Sequence, residues 1–137
     1  MKYELLSTRH AKYLLHAHIV FTPKYRKNIF TKEHLDLMKE VFKDICEMNN
    51  ATLKEFNGEA NYVHLLVVYP PRIALSVLVN SLKGVSSRRL RQNFKVFQKE
   101  YWGDNVALWS RSYFVASVGG APIEILKQYI EQQNTPD

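Results

Sequence analysis

The sequence predicts an α+β fold in which two helices pack on one face of a four-stranded antiparallel sheet. Strand-like and helix-like segments alternate in the order strand, helix, strand, strand, helix, strand, and a further helix follows. The 137 residues provide enough material for one hydrophobic core, which predicts a single domain spanning residues 1–137. With 46% hydrophobic and 23% charged residues, the composition is that of a globular protein.

The first elements are a strand and an amphipathic helix. Residues 13–21 are rich in aromatic and β-branched side chains that alternate between two faces, and Pro23 ends the segment. Thr31 is placed to cap a helix that continues to about Asn49. Apolar side chains recur along one stripe of this helix: Leu35, Met38, Val41, Phe42, Ile45 and Met48.

The middle of the chain predicts a hairpin and a second helix. Residues 52–56 form the second predicted strand, Asn57-Gly58 the turn, and residues 62–69 the third strand. Pro70-Pro71 ends that strand, and a helix then extends to about Gln92. Its apolar positions are Leu75, Leu78, Val79, Leu82 and Val85.

The last part predicts a surface loop, a strand over residues 108–118, and a C-terminal helix over about 122–134 that begins near Pro122. The whole pattern is a split βαβ arrangement, as in ferredoxin-like and RRM-like folds. One sheet face then stays open unless another segment covers it.

The net charge of +6 and the pI near 9.4 favour an anionic partner, with nucleic acid as the leading candidate. Two basic segments supply phosphate donors and adjacent aromatic rings, although a solvated basic face without a partner is the alternative. The candidate DNA-binding residues are Lys24, Tyr25, Arg26, Lys27, Lys83, Ser86, Ser87, Arg88, Arg89 and Arg91.

Cellular location is predicted from cysteine and hydropathy. Cys46 is the only cysteine, so no disulfide can form within the chain, and a helix pattern would bury it. No apolar run approaches the length of a membrane span, and the first residues do not resemble a secretory signal. A cytoplasmic protein is expected.

Two residue pairs carry the candidate chemistry. Tyr62 and His64 are two apart in a strand and therefore share a face, whereas Tyr129 and Gln133 are one helical turn apart. An imidazole and an amide that hold a divalent ion beside a phenol suit phosphodiester chemistry, although each residue taken alone could equally be a packing residue. His16 and His18 are assigned to a strand shared with the core, and His34 to the surface.

Four blocks of the sequence carry a family resemblance, and they are residues 18–27, 63–66, 82–91 and 118–130. Together they closely resemble the one-tyrosine HUH transposases. These are TnpA-like single-strand DNA transposases of simple insertion sequences. The resemblance implies that Tyr129 is the nucleophile and that it forms a 5′-phosphotyrosine link with DNA. It also implies Mg²⁺ or Mn²⁺ held by the HUH residues and Gln133. A homodimer with exchanged C-terminal helices, recognising single-stranded hairpins at element ends, is implied as well.

The chain departs from the family pattern at one position. The family has His-hydrophobic-His where this chain has Tyr62-Val63-His64, so Tyr62 occupies the place of the first histidine ligand. A neutral phenol is a poor metal ligand, and the loss should weaken metal binding. The alternatives are therefore a catalytically impaired nucleic-acid-binding derivative of the family, or an interaction domain whose basic patches are incidental.

Overall fold

The structure is a computed structural model that describes residues 6–7, 12–13, 15–97, 107–117 and 130–131. The elements within these residues are β1 (Leu6–Ser7), β2 (Lys12–Tyr13), β3 (His16–Phe21), α1 (Lys32–Met48), β4 (Thr52–Glu59), β5 (Tyr62–Val68), α2 (Leu75–Asn93) and β6 (Phe114–Ser117). An antiparallel sheet of four strands has the order β4-β5-β3-β6, and β1 pairs separately with β2. The predicted α+β fold is confirmed.

The two helices pack on one face of the sheet and form the core with it. Ile19 and Phe21 of β3, together with Val63 and Leu65 of β5, are fully buried in a cluster with apolar residues of both helices. Helix α1 follows its predicted stripe, since Met38, Val41, Phe42 and Ile45 are buried whereas Met48 is exposed.

Cys46 is buried as predicted, and burial raises the pKa of its thiol to about 12. Among the described helices none is long and apolar enough to cross a membrane.

Helix α1 begins with a capping box that uses a histidine. The Thr31 hydroxyl accepts from the backbone N–H of His34 at 3.5 Å, and the backbone N–H of Thr31 donates to Nδ1 of His34 at 3.1 Å. The His34 ring also meets Phe94 and Phe97 edge-on, with centroids 4.5 and 4.6 Å away. The surface position expected for His34 is therefore wrong, because the third residue of α1 faces the end of α2.

This capping box is expected to make the protein less stable in acid. Burial lowers the pKa of His34 below its ordinary 6.5, against the opposing effects of the Ile29 backbone and Glu33. The unfolded chain therefore takes up the proton first, and the free energy of unfolding falls as the pH drops through 6.5 towards the lower folded pKa.

His34→Gln should keep an acceptor for the Thr31 N–H while removing the titration. We expect urea unfolding curves to show a smaller loss of stability for the variant than for the native chain between about pH 7.5 and pH 5. Equal losses would show that the His34 imidazole does not govern this dependence.

The β4–β5 hairpin turns later than the sequence predicts. Asn57 and Gly58 lie within β4, paired with His64 and Val63, and the turn falls at Ala60-Asn61. Gly58 serves a different purpose, because a Cβ built there would lie 2.5 Å from Cδ2 of Leu35. The glycine lets α1 approach the sheet closely.

The strand predicted over residues 108–118 is shorter than expected, because β6 covers only Phe114–Ser117. The preceding residues bond to the loop after β3 instead. The backbone N–H of Lys24 donates to the Leu108 carbonyl at 2.9 Å, and that of Ser110 donates to the Thr22 carbonyl at 2.8 Å. Leu108 and Trp109 are thereby buried in the core.

Candidate active site

The face of the sheet opposite the two helices carries the candidate chemistry, and we call it the histidine face. Strand alternation and pairing place His18 and Val20 of β3 on it, together with Tyr62, His64 and Leu66 of β5. Val20 is 0% exposed and Leu66 is 6% exposed, so the centre of this face is buried as well. His18, Tyr62 and His64 are only partly buried.

His64 meets His18 across the two central strands. Val20 pairs with His64 and His18 pairs with Leu66, so the two histidines are diagonal neighbours on adjacent strands. Nδ1 of His18 lies 2.8 Å from Nε2 of His64, and one of these nitrogens carries the shared hydrogen. The rings are nearly parallel, with centroids 5.0 Å apart and planes inclined by 15°.

Sequence reasoning did not select His18. The alternation of residues 13–21 does place it opposite Ile19 and Phe21, on the same side as His16 and Val20. What the sequence lacks is the register between β3 and β5, which alone brings His18 to His64.

The environment of His64 favours a neutral imidazole. Burial lowers the pKa of His64, the His18 ring lowers it further, and Glu55 opposes both effects. A neutral ring keeps the lone pair that a metal ion or a hydrogen-bond donor needs.

Tyr62 lies two residues from His64 on the same face and is half-buried. Burial raises the pKa of its phenol, and the nearby carboxylate of Glu59 raises it further. The side chain is therefore a neutral phenol at neutral pH, and such a group binds a divalent cation weakly.

Tyr129 and Gln133 lie outside the described residues, whereas the helical residues Ile130 and Glu131 between them are described. Nη1 of Arg26 donates to the carbonyl of Ile130 at 2.9 Å and to that of Glu131 at 3.3 Å. Arg26 belongs to a short 3₁₀ turn after β3 and has a φ of 49°. Arg26, in the turn that follows β3, is therefore hydrogen-bonded to the two residues that directly follow Tyr129.

The described residues supply only part of the ligand set that a divalent cation needs. Within the part of the chain that the structure describes, no three His, Cys, Asp or Glu side chains cluster in a way that could hold a metal ion. His64 and His18 offer two nitrogen atoms 2.8 Å apart. A cation held there would need further ligands, such as the amide oxygen of Gln133 or water.

The candidate DNA-binding residues differ in how accessible they are. Arg88, Arg89 and Tyr25 are exposed, and Lys24, Lys27 and Ser87 are partly so. Lys83 and Arg91, like Arg26, make contacts within the chain. Nζ of Lys83 donates to the carbonyls of Ser110 and Arg111 at 2.7 and 3.3 Å, and Nη1 of Arg91 donates to the Phe97 carbonyl at 3.1 Å.

Ser86 corrects one of the predicted DNA contacts. Its side chain is 0% exposed, accepts from the indole N–H of Trp109 at 2.9 Å, and donates to the Lys83 carbonyl at 3.1 Å. This placement offers no hydroxyl to a phosphate, because the helical repeat turns Ser86 into the core beside Leu82 and Leu90.

Ser86→Ala is expected to lower the free energy of unfolding by about 1–3 kcal/mol, because the buried Trp109 N–H loses its acceptor. The neighbouring Ser87→Ala, on a partly exposed position, should change it by less than about 0.5 kcal/mol. Urea denaturation of both variants measures the difference, and equal stabilities would contradict the assignment of Ser86 to the core.

Comparison with known proteins decides the family. Residues 11–133, nearly the whole chain, match the protein family described as "Transposase IS200 like". The chain belongs to the IS200-like transposase family. The transposase for insertion sequence element IS200 from Salmonella typhimurium is 32% identical over 131 residues, which cover 96% of this chain and 84% of that protein. The ISDra2 transposase TnpA of Deinococcus radiodurans is 30% identical over 131 residues, covering 96% and 92%.

One solved structure supports the same assignment for this transposase, and a second shares the fold. A crystal structure of a protein assigned as a transposase in Deinococcus radiodurans R1 superposes with a TM-score of 0.86 at 32% identity, covering 95% of this chain and 98% of that one. A REP-associated tyrosine transposase bound to a REP hairpin shares the fold at a TM-score of 0.57 and 7% identity, covering 92% and 69%.

Proposed function

We propose that this transposase binds hairpin-forming single-stranded DNA and cleaves and rejoins it through a 5′-phosphotyrosine link at Tyr129. Family membership supplies the DNA transposition chemistry. The observation that carries the finer proposal is the position of His64, partly buried beside His18 on the histidine face, together with the contact of Arg26 to Ile130, the residue after Tyr129. The resemblance of residues 118–130 to the one-tyrosine family supports Tyr129 as the nucleophile.

In the proposed reaction, the phenolic oxygen of Tyr129 attacks the phosphorus atom of a phosphodiester. A bond forms between that oxygen and phosphorus, the bond from phosphorus to the 3′ oxygen breaks, and the DNA is released with a free 3′-hydroxyl. The phenol gives its proton to solvent, and the departing 3′ oxygen takes one up. A bound Mg²⁺ or Mn²⁺ would polarise the phosphate and stabilise the negative charge on the leaving oxygen. Attack by a 3′-hydroxyl on the phosphotyrosine reverses these steps and rejoins DNA.

The chain's own residues have separate parts in this proposal. His64 and Gln133 would hold the cation, and Tyr62 stands at the sequence position of the family's first histidine. Arg26 contacts the carbonyls of Ile130 and Glu131 and so restrains the segment next to the nucleophile.

Hairpin DNA is the proposed substrate because the fold matches a REP-associated tyrosine transposase that is bound to a REP hairpin. The exposed Arg88 and Arg89 near the end of α2 and the exposed ring of Tyr25 can contact phosphates and unpaired bases. The net charge of +6 favours such binding and makes it sensitive to salt.

The proposed assembly is a homodimer in which the last helix of each subunit lies against the other subunit. The Arg26 contact with Ile130 is made within one chain in this structure, so the exchanged dimer would form the same contact between subunits. Mixing inactive Tyr129→Phe with inactive His64→Asn tests the exchange. Recovery of up to about a quarter to a half of native cleavage is expected if sites are shared between random dimers. A mixture as inactive as its parts would place each tyrosine in the site of its own chain.

A second candidate function is nucleic-acid binding without cleavage, which Tyr62 favours because it removes a metal ligand from the family pattern. Under this alternative, Tyr62→His should create cleavage where the native chain has none. DNA binding would be the same for both proteins.

A gel assay tests the proposed function. Native protein is incubated with hairpin-bearing single strands and Mn²⁺, and covalent protein–DNA adducts are sought under denaturing conditions. We expect an adduct that depends on the metal and is absent with a chelator or with fully duplex DNA. The absence of an adduct for the native chain, together with one for Tyr62→His, would reject cleavage by this chain and retain the binding function.

A further inference from the structure

The contact between His18 and His64 has a geometry that suits metal chelation. Nδ1 of His18 and Nε2 of His64 face each other at 2.8 Å across β3 and β5. Two nitrogens bound to one divalent ion at about 2.0–2.2 Å are separated by about 3 Å in octahedral geometry and about 3.4 Å in tetrahedral geometry. The two nitrogens would therefore have to separate by only a few tenths of an ångström, while the rings turn so that both lone pairs point at one ion beside the line between them.

The elements that carry the pair are suited to such a site. Both histidines belong to the two central strands, whose flanking residues Ile19, Val63 and Leu65 are fully buried in the core. Rigid strands hold ligands more precisely than loops do. Both rings are also partly exposed, so an ion can reach them from solvent.

The residue at position 62 makes the pair of His18 and His64 important for metal binding. The residue two before His64 on the same face is Tyr62, a neutral phenol that is a weak ligand. His18 contacts Nε2 of His64 from the neighbouring strand. A second imidazole is therefore available although the β5 sequence supplies only one.

We propose that this transposase binds its divalent cation through Nδ1 of His18 and Nε2 of His64, so that a histidine from β3 replaces the one missing at position 62. The role of the ion in DNA cleavage rests on the proposed function, but the binding site does not. On binding, the hydrogen between the rings leaves the shared position and moves to the other nitrogen of its own ring. This shift of the hydrogen from one nitrogen to the other of the same ring releases no proton.

Two imidazoles set the metal preference of the site. Nitrogen ligands favour Mn²⁺, Co²⁺, Ni²⁺ and Zn²⁺ over Mg²⁺, which prefers oxygen. We expect the free protein to bind Co²⁺ more tightly than Mn²⁺ and to bind Mg²⁺ most weakly of the three.

The test measures metal binding by the full-length chain without DNA. Calorimetric titration with Mn²⁺ and Co²⁺ gives affinities, and pulsed electron paramagnetic resonance of the Mn²⁺ complex counts the imidazole nitrogens bound to the ion. The proteins are the native chain, His18→Asn, Tyr62→His, the double variant His18→Asn with Tyr62→His, and His34→Gln as a control that removes a distant imidazole. Thermal unfolding checks that each variant is folded.

Native protein should show two bound imidazoles. His18→Asn should lose one of them and at least about tenfold in affinity, and adding Tyr62→His should restore both. His34→Gln should match the native chain. The proposal is overturned if the native complex shows one imidazole, if no ion binds, or if His18→Asn leaves the nitrogen count unchanged. Native metal binding without any DNA adduct would support this site and count against the proposed function alone.

Discussion

Replacing Tyr129 with phenylalanine is expected to abolish the covalent protein–DNA adduct, reducing its rate of formation by at least about a thousandfold. The substitution removes only the attacking oxygen and keeps the aromatic ring. Water cannot replace that oxygen, because attack by water leaves no covalent link to protein. DNA binding should therefore stay within about twofold of native, because the basic surface is unchanged.

The measurement compares adduct formation under single-turnover conditions with binding to the same hairpin strand. Tyr69→Phe, which removes a phenol just after β5, is the matched control and should form adducts at the native rate. If an adduct survived Tyr129→Phe and disappeared in Tyr62→Phe, the nucleophile would be Tyr62 and the assignment from the C-terminal helix would be wrong.

His64→Asn is expected to have the second-largest effect. A divalent ion beside a scissile phosphate stabilises transition-state charge by several kcal/mol, which corresponds to at least about a hundredfold in rate. Removal of the imidazole also deletes the hydrogen bond with His18, so the free energy of unfolding should fall by only about 1 kcal/mol. Activity should thus be lost in a protein that is still folded.

Adduct formation over a range of Mn²⁺ concentrations separates weaker metal binding from slower chemistry. His34→Gln controls for the loss of an imidazole elsewhere in the chain. Partial rescue of His64→Asn at high Mn²⁺ is expected if the role of the residue is to hold the ion. Native activity of this variant at low Mn²⁺ would remove His64 from the site.

Much of the fold follows from local signals. The apolar stripe from Leu35 to Ile45, the Thr31 cap and the stop at Asn49 define α1 without knowledge of any neighbour. The sequence could not show how closely α1 approaches β4. The sequence therefore predicts a turn at Gly58, although in the structure this glycine gives room to Leu35.

The sequence predicts only the part of the candidate site that depends on local spacing. His64 and Tyr62 share a face because strands alternate, and this can be derived from spacing alone. The neighbour of His64 depends on the register of two strands separated by 40 or more residues, since Val20 pairs with His64. Ser86 is a residue that the sequence assigns to the wrong role. A serine in a basic segment is typical of a phosphate-binding residue, but the hydroxyl of Ser86 is buried against Trp109.

The most direct test of this account is anomalous diffraction from crystals of the protein grown with Mn²⁺. We predict one strong anomalous peak on the histidine face at about 2.0–2.3 Å from Nε2 of His64, with Nδ1 of His18 at a similar distance and the Tyr129 oxygen close enough to reach a phosphate bound there. A structure with Mn²⁺ present in which no peak lies near His64, or in which Tyr129 is held on the opposite side of the assembly, would contradict it.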